Sequence, residues 1–361
     1  MSPRSWIPLV ALALWAPGCP DSPDDDTAAA GDDDDTVCET DADGDGYVSL
    51  DCGGDDCDDL DPTIHPGAVE GEEWAAERID AETRYGCMVD LARDSSGAVH
   101  TFYLDSTLSG VDWVGGELRH AAQAPGGWVP TVIEEQTVRG YSPSLAVDSA
   151  DALHGSYLDW SDDSLRYLSD AGGSWEGITI DSWVQYFSAI ALDANDATHL
   201  AYFRGHPSTG TLQYATNAGG YWDLVTVDPD EGSGSFADLA LDANGAVHIS
   251  YYFIADHNLR HATNASGEWI VVTVDDSGES TGWYSDLAVA PDGAVHIVYQ
   301  NGFEHDLMHA TDAGGVWATW AVDEGCDGIE SPSIAVDPDG ALHVAYTCNY
   351  PEWPDSVLRY A

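Results

Sequence analysis

The chain has 361 residues, with 10 Lys and Arg against 65 Asp and Glu, and a formal net charge of −55. This charge argues against nucleic acid and anionic lipid surfaces as partners, because both are bound through basic faces. The chain contains no lysine, which excludes Schiff-base catalysis and lysine-dependent phosphate binding. A hydrophobic content of 43%, with 14 Trp and 17 Tyr, predicts a folded domain rather than a wholly disordered acidic chain.

Residues 1–19 have the features of a signal peptide. The apolar run SWIPLVALALWAPG follows one arginine and is shorter than a membrane-spanning helix requires. The stretch LWAPGC resembles a bacterial lipoprotein signal, which implies that Cys19 is lipidated and anchors the chain in the envelope or at the cell surface. An ordinary secretory signal, giving a secreted protein, is the alternative.

Residues 20–37 and 38–72 are two different acidic segments. The first, PDSPDDDTAAAGDDDDTV, has low complexity and repels itself, so it predicts a disordered linker. The second begins with DADGDG, which resembles the start of EF-hand and thrombospondin type 3 calcium loops, although Cys52 stands where an EF-hand has its glutamate. The candidate metal ligands are Asp41, Asp43, Asp45, Tyr47 (through its carbonyl), Asp51, Asp55, Asp56, Asp58, Asp59 and Asp61.

Residues 38–70 also resemble the MopE-type metal-binding motif of bacterial surface and secreted proteins. The resemblance rests on DADGDG and on CDDLDPTIHPGAVE, and it implies metal binding and surface association rather than a reaction. Hard oxygen ligands favour calcium (Ca²⁺), whereas His65 is the one nitrogen donor that copper or iron would use. A merely solvated acidic linker is the alternative.

Residues 73–361 contain an internal repeat. A marker histidine, at 100, 154, 199, 248, 296 and 343, is followed three residues later by a tyrosine. Each copy contains four short apolar runs separated by acidic and glycine-containing turns, which is typical of a β-propeller blade. We therefore predict an all-β fold, a six-bladed propeller of four-stranded blades. The last copy stops after its third strand, so EWAAERID (73–80) is expected to supply the fourth and close the ring.

Six cysteines remain if Cys19 is lipidated, and their even number indicates disulfides in an exported chain. Cys326 precedes the first strand of blade 6, and Cys348 follows the second strand of that blade. Because both loops lie on one face of a propeller, we predict a Cys326–Cys348 disulfide. The pairing of Cys38, Cys52, Cys57 and Cys87 stays open.

Residues that recur in every blade are interpreted as structural, because a catalytic group is needed only once. The marker histidines are expected to be neutral and hydrogen-bonded between blades, and the aspartates of the turns after the first strands to brace those turns. Residues that break the repeat on the face of Cys326 and Cys348 are the candidate ligand-binding surface. They are Trp113, Trp160, Trp183, His206, His257, Trp283, His305 and Trp353.

These features favour a non-enzymatic, calcium-binding envelope lipoprotein, expected to be a monomer, whose propeller binds a glycan or protein ligand. One alternative is a glycoside hydrolase or lyase of the sialidase-like propeller class, which the chain resembles in the broad sense of a BNR-like repeat. Its turns read DxxGxxH instead of SxDxGxTW, and the non-repeat Arg84, Arg93, Arg139 and Arg204 suggest no triad. A structural spacer is the other alternative.

Overall fold

The computed structural model describes residues 79–80, 86–109, 112–134, 140–206, 208–277, 280–302, 305–324, 326, 328–349 and 356–361. The signal peptide with Cys19, the linker and the whole 38–72 segment with its candidate metal ligands lie outside these ranges. The described residues form six antiparallel sheets whose strands follow chain order. The first strands of all six sheets border one central channel. The predicted six-bladed propeller is confirmed.

Alternating apolar and polar residues, interrupted by tight turns, form the four short strands of each blade. Blade 1 contains β1 (Gly86–Arg93), β2 (Val99–Ser109), β3 (Asp112–Ala124) and β4 (Gly127–Glu134). Blade 2 contains β5 (Gly140–Val147), β6 (Leu153–Asp159), β7 (Ser164–Ser169) and β8 (Glu176–Ser182). Blade 3 contains β9 (Val184–Leu192), β10 (Thr198–Arg204), β11 (Thr211–Thr216) and β12 (Asp223–Asp228).

The second half of the ring repeats this arrangement. Blade 4 contains β13 (Ser235–Leu241), β14 (Val247–Phe253), β15 (Asn258–Thr263) and β16 (Ile270–Asp275). Blade 5 contains β17 (Thr281–Val289), β18 (Val295–Asn301), β19 (Leu307–Thr311) and β20 (Ala318–Asp323). Blade 6 contains β21 (Gly328–Val336), β22 (Leu342–Asn349) and β23 (Ser356–Tyr360), three strands in the described part of the chain.

An interaction that we call the inter-blade clasp joins each blade to the next. An acidic residue at the end of a fourth strand accepts a hydrogen bond from the marker tyrosine of the following blade. Between blades 3 and 4, Tyr251 donates to Asp228 over 2.6 Å. The six pairs are Tyr103–Asp80, Tyr157–Glu134, Tyr202–Asp181, Tyr251–Asp228, Tyr299–Asp275 and Tyr346–Asp323.

Arginines complete most of these clasps. Arg119, Arg166, Arg260 and Arg359 form ion pairs with the clasp acids from the third strand of the same blade as the tyrosine. In blade 3 that position is Gln213, and Arg204 reaches Asp181 from the second strand instead. Arg204, interpreted from the sequence as a non-repeat arginine, therefore performs the repeat's task. In blade 5 the position is Met308, opposite Tyr299.

Asp80 takes the clasp position between blades 6 and 1. It accepts hydrogen bonds from the Tyr103 hydroxyl over 2.8 Å and from the Arg119 guanidinium over 2.7 Å. Every other clasp acid that contacts a marker tyrosine ends a fourth strand. This position of Asp80 is the one that a closing strand at 73–80 requires. Residues 73–78 of that predicted strand lie outside the described ranges.

The marker histidines are buried or nearly so, but the expectation that they bond between blades is wrong. Their Nδ1 atoms face the third strand of their own blade, as in His248 and His261, whose ring nitrogens are 3.1 Å apart. Burial lowers the pKa of the marker residues His199, His248 and His296, so these rings are neutral as expected. The contact between blades is made by the fourth-strand tryptophan, since Trp317 of blade 5 packs 5.1 Å from His261 of blade 4.

The turns after the first strands are braced as predicted. Asp242 Oδ1 accepts hydrogen bonds from the backbone N–H groups of Asn244 and Ala246, both over 2.8 Å.

On the opposite face, Cys326 and Cys348 form a disulfide with their Cα atoms 5.3 Å apart, the pairing that the topology predicts.

The clasp predicts unequal effects for two arginine variants. Arg260 is 12% exposed against an Asp228 that is 4% exposed, so Arg260→Met leaves a buried carboxylate without its cation and should lower the free energy of unfolding by about 3 kcal/mol. Arg204 is 46% exposed, and Arg204→Met should cost less than about 1 kcal/mol. Urea unfolding measures both, and equal losses would contradict the clasp as described.

Candidate ligand-binding site

The central channel has a volume of about 330 Å³ and is bordered by the first strand of every blade. Its wall carries three carboxylates and several hydroxyl groups. These include Asp90, Asp238, Asp286, Ser144, Ser188 and Ser333. A cavity with converging polar groups at the axis of a rigid scaffold is a plausible place for a ligand.

A bulge shapes the wall in four blades. The register between the first and second strands shifts at the same place in blades 2, 4, 5 and 6. Within each bulge one residue has a positive φ, which is unusual for a side chain other than glycine. These residues are Ser142 (φ 51°), Phe236 (φ 53°), Tyr284 (φ 51°) and Ser331 (φ 47°). In blades 4 and 5 the bulge therefore places an aromatic ring at the channel.

Phe236 is the centre of a group of rings that we call the aromatic cluster. Its ring centroid lies 4.5 Å from Phe187, 4.6 Å from Tyr284 and 5.8 Å from Trp283. Tyr252 is 5.7 Å from Trp283 and 6.2 Å from His257. The aromatic cluster thus consists of Phe187, Phe236, Tyr252, His257, Trp283 and Tyr284, and it spans blades 3, 4 and 5.

Polar atoms accompany these rings. The Tyr252 hydroxyl lies 2.6 Å from His257 Nδ1 and 3.0 Å from Ser280 Oγ, and Trp283 Nε1 donates to Ser280 Oγ over 2.8 Å. His257 is exposed and has a φ of 59°, in the turn between β14 and β15. The aromatic cluster therefore presents apolar ring faces together with hydroxyl and imidazole groups in a fixed arrangement.

Three carboxylates lie deeper in the channel, at one equivalent position of β1, β13 and β17. Each accepts the backbone N–H of the next first strand: Asp90 from Leu145 over 2.7 Å, Asp238 from Leu287 over 2.9 Å, and Asp286 from Ile334 over 2.7 Å. Burial raises the pKa of Asp90 to about 6. Burial also raises the pKa of both Asp238 and Asp286, and repulsion from Asp286 raises that of Asp238 further.

The structure brings together two of the residues singled out in the sequence, His257 and Trp283. His206 contacts Ser208 and His305 contacts Gln300, each in the turn after the second strand of its own blade. Trp160 and Trp183 are 44% and 60% exposed, and both lie outside the aromatic cluster. Trp353 and the side chain of Trp113 lie outside the described part of the chain.

Several residues of the site were missed from the sequence. Phe187, Phe236, Tyr252 and Tyr284 read as ordinary core residues of strands, and the three channel aspartates read as the polar half of an alternating pattern. A signal did exist, since the aspartates share their position with Ser144 and Ser333 of other blades. A position that varies within an otherwise regular repeat is not needed for packing alone.

The described arginines do not converge on the channel. Arg119, Arg166, Arg204, Arg260 and Arg359 all pair with clasp acids. Arg93 donates to the Gly97 carbonyl in the turn after β1. Asp323 lies near the sulfurs of Cys326 and Cys348, but those sulfurs are joined in the disulfide and are not available as thiolate ligands.

No helix in the described ranges is long and apolar enough to cross a membrane.

Comparison with solved structures places the chain among propellers. A protein of unknown function from Dyadobacter fermentans matches with a TM-score of 0.55 and 13% identity, covering 77% of this chain and 95% of that one. A Trypanosoma rangeli sialidase matches with a TM-score of 0.54 and 10% identity, covering 77% and 54%. The likeness is one of fold. An Aleuria aurantia lectin, in complex with Fucα1-6GlcNAc, matches with a TM-score of 0.50 and 13% identity, covering 75% and 94%.

No family model and no curated protein matches the chain. The resemblances of residues 1–19 to a lipoprotein signal and of residues 38–70 to the MopE-type motif therefore stay predictions.

The raised pKa of Asp90 gives a pH-dependent prediction. A carboxyl whose pKa rises from 3.8 to about 6 on folding stabilises the fold while it is protonated, and this contribution is lost as the pH rises through about 6. The stability of the wild type relative to Asp90→Asn should therefore fall by about 2 kcal/mol between about pH 4 and pH 7. Asp90→Ser, which introduces the residue of blades 2 and 6, should give the same trend in thermal unfolding. A difference that does not change with pH would contradict it.

Proposed function

We propose that this protein is a non-enzymatic carbohydrate-binding propeller whose ligand binds at the aromatic cluster. The observation that carries the proposal is the position of Trp283 and His257, whose ring centroids lie 5.7 Å and 6.2 Å from that of Tyr252. The C–H faces of a sugar ring pack on aromatic rings, and its hydroxyl groups bond to polar atoms beside them. Ser280 Oγ and the exposed His257 imidazole offer such atoms, and the buried Tyr252 hydroxyl bonds to both of them.

The fold neighbours support a carbohydrate ligand. The Aleuria aurantia protein is a lectin in complex with a fucosylated sugar, and the Trypanosoma rangeli protein is a sialidase. Because fold alone does not determine function, this support is secondary to the chemistry of the aromatic cluster. A protein ligand at the same surface is the alternative occupant.

Binding without cleavage is favoured over a sialidase-like reaction by the arginines. A sialidase-like site is expected to have an arginine triad, whereas five arginines in the described ranges are paired with clasp acids. The Asp90, Asp238 and Asp286 carboxylates bond to the backbone of neighbouring blades, which is a structural task. These contacts support the binding proposal over the hydrolase or lyase alternative.

The first test is a screen of glycans and cell-wall polysaccharides with residues 20–361, in calcium and in EDTA. Trp283→Ala should weaken a specific hit at least about tenfold, because a ring that stacks on the sugar is lost. Trp320→Ala is the matched control: this tryptophan also belongs to blade 5, but it is exposed on the outer strand β20, and affinity should not change.

Other outcomes separate the alternatives. Slow cleavage of the bound glycan would favour the hydrolase or lyase. Equal affinities of the two tryptophan variants and the wild type would place the site elsewhere. No glycan binding would favour a protein ligand or a spacer, to be followed by capture from the native envelope.

We also propose that residues 38–72 bind calcium and that Cys19 anchors an exported, monomeric chain to the envelope. The alternating aspartates of DADGDG support the metal, and the LWAPGC stretch supports the anchor. EDTA should then lower the melting temperature of residues 20–361 and leave that of residues 72–361 unchanged, since the second lacks the ligands. Identical shifts, or none, in both chains would contradict a calcium site in this segment.

A further inference from the structure

The electrostatic surroundings of the aromatic cluster are one-sided. Between residues 229 and 330 the sequence contains one arginine and no lysine. That arginine, Arg260, bonds to Asp228 over 2.8 Å and to Asp230 over 2.9 Å, and Asp256 lies 4.0 Å away. Its charge is therefore already neutralised by acids of its own neighbourhood. Within the described residues of this segment, a ligand therefore meets no arginine or lysine whose charge is unmatched by a nearby carboxylate.

The channel beneath the aromatic cluster adds acidic groups. Burial raises their pKa values, and a cation placed beside them would favour their ionised form. On β13, Asp238 comes two residues after Phe236, and on β17, Asp286 comes two residues after Tyr284. All four residues border the same channel. Asp90 contributes a third carboxylate from β1. A group that enters the channel from the aromatic cluster thus passes two ring faces before it reaches the carboxylates.

We infer that the bound sugar carries a protonated primary amine, and that this ammonium group lies at the channel mouth between the Phe236 and Tyr284 rings and the Asp238 and Asp286 carboxylates. The inference rests on the proposed function and specifies its ligand class. An ammonium group is attracted by the negative faces of aromatic rings and by carboxylates in a site with limited water. The ring hydroxyls of the same sugar would bond to Ser280 and His257.

The same charges exclude an acidic sugar from this position. A sugar carboxylate would face three channel carboxylates, and its desolvation would not be compensated by a cation from the described residues around it. A neutral sugar could use the rings and hydroxyls of the aromatic cluster but would gain nothing from the channel. The expected order of affinity is therefore amino sugar, then neutral sugar, then acidic sugar.

Isothermal titration of the full chain with three tetrasaccharides tests this order. The probes are a glucosamine tetramer, its fully N-acetylated form, and a galacturonic acid tetramer. The glucosamine tetramer should bind at least about tenfold more tightly than the N-acetylated tetramer at low salt, and the galacturonic acid tetramer should not bind. The preference for the amine should shrink as salt is raised, because ions screen the attraction.

Two variants locate the effect. Asp286→Asn keeps an oxygen that can accept the Ile334 N–H, and it should reduce the preference for the amine to less than about threefold. Glu268→Gln removes one exposed charge from the turn between β15 and β16 and should keep the full preference. The wild-type order and its salt dependence remain a test if Asp286→Asn does not fold.

The outcomes distinguish this inference from the proposed function. Equal binding of the amine and its N-acetylated form, or tighter binding of the acidic tetramer, would overturn the ammonium site and leave a carbohydrate-binding propeller in place. An equal loss of preference in both variants would show a general charge effect and would also overturn it. No binding of any tetrasaccharide, combined with a negative glycan screen, would overturn both proposals.

Discussion

The ring depends on one interaction, the hydrogen bonding of a buried or partly buried carboxylate at each junction between blades. Alone, such a group would cost several kcal/mol in desolvation, so it is stable only when the next blade donates hydrogen bonds to it. The marker tyrosine supplies that bond at all six junctions, with an arginine at five of them. Blades that separated would leave these charges uncompensated, which makes the junctions specific as well as stable.

This rigid frame leaves the channel and the loops free to differ between blades. At three junctions, a backbone N–H of one inner strand donates a hydrogen bond to an aspartate side chain of another blade's inner strand. Leu145 N–H, for example, donates to Asp90. The bulges above these bonds carry serine in two blades and an aromatic ring in two others without disturbing the sheet. A site can therefore form over blades 3, 4 and 5 while the other half of the ring keeps a plainer wall.

The period of the chain was sufficient to predict the blades, because each of them needs the same buried histidine, tyrosine and tryptophan. It was also sufficient for the Cys326–Cys348 pair, since topology alone places both loops on one face. Four of the six residues of the aromatic cluster could not be predicted. Tyr252 and Phe236 have the composition of core strand residues, and only the bulges in β13 and β17 turn rings toward the channel. The marker histidines were expected to bond between blades but bond within their own blade, because sequence spacing does not say which neighbour a ring faces.

Met308 has a consequence for the motions of the ring. It occupies the arginine position at the junction of blades 4 and 5, so Asp275 is bonded there by Tyr299 and by residues of its own turn. The aromatic cluster bridges this same junction, with Tyr252 on one side and Trp283 on the other. Local opening of a propeller begins where the fewest strong contacts join two blades. A ligand that contacts both rings would link blades 4 and 5 at this junction. Amide hydrogen exchange in β16 and β17 would therefore slow most when the ligand is bound.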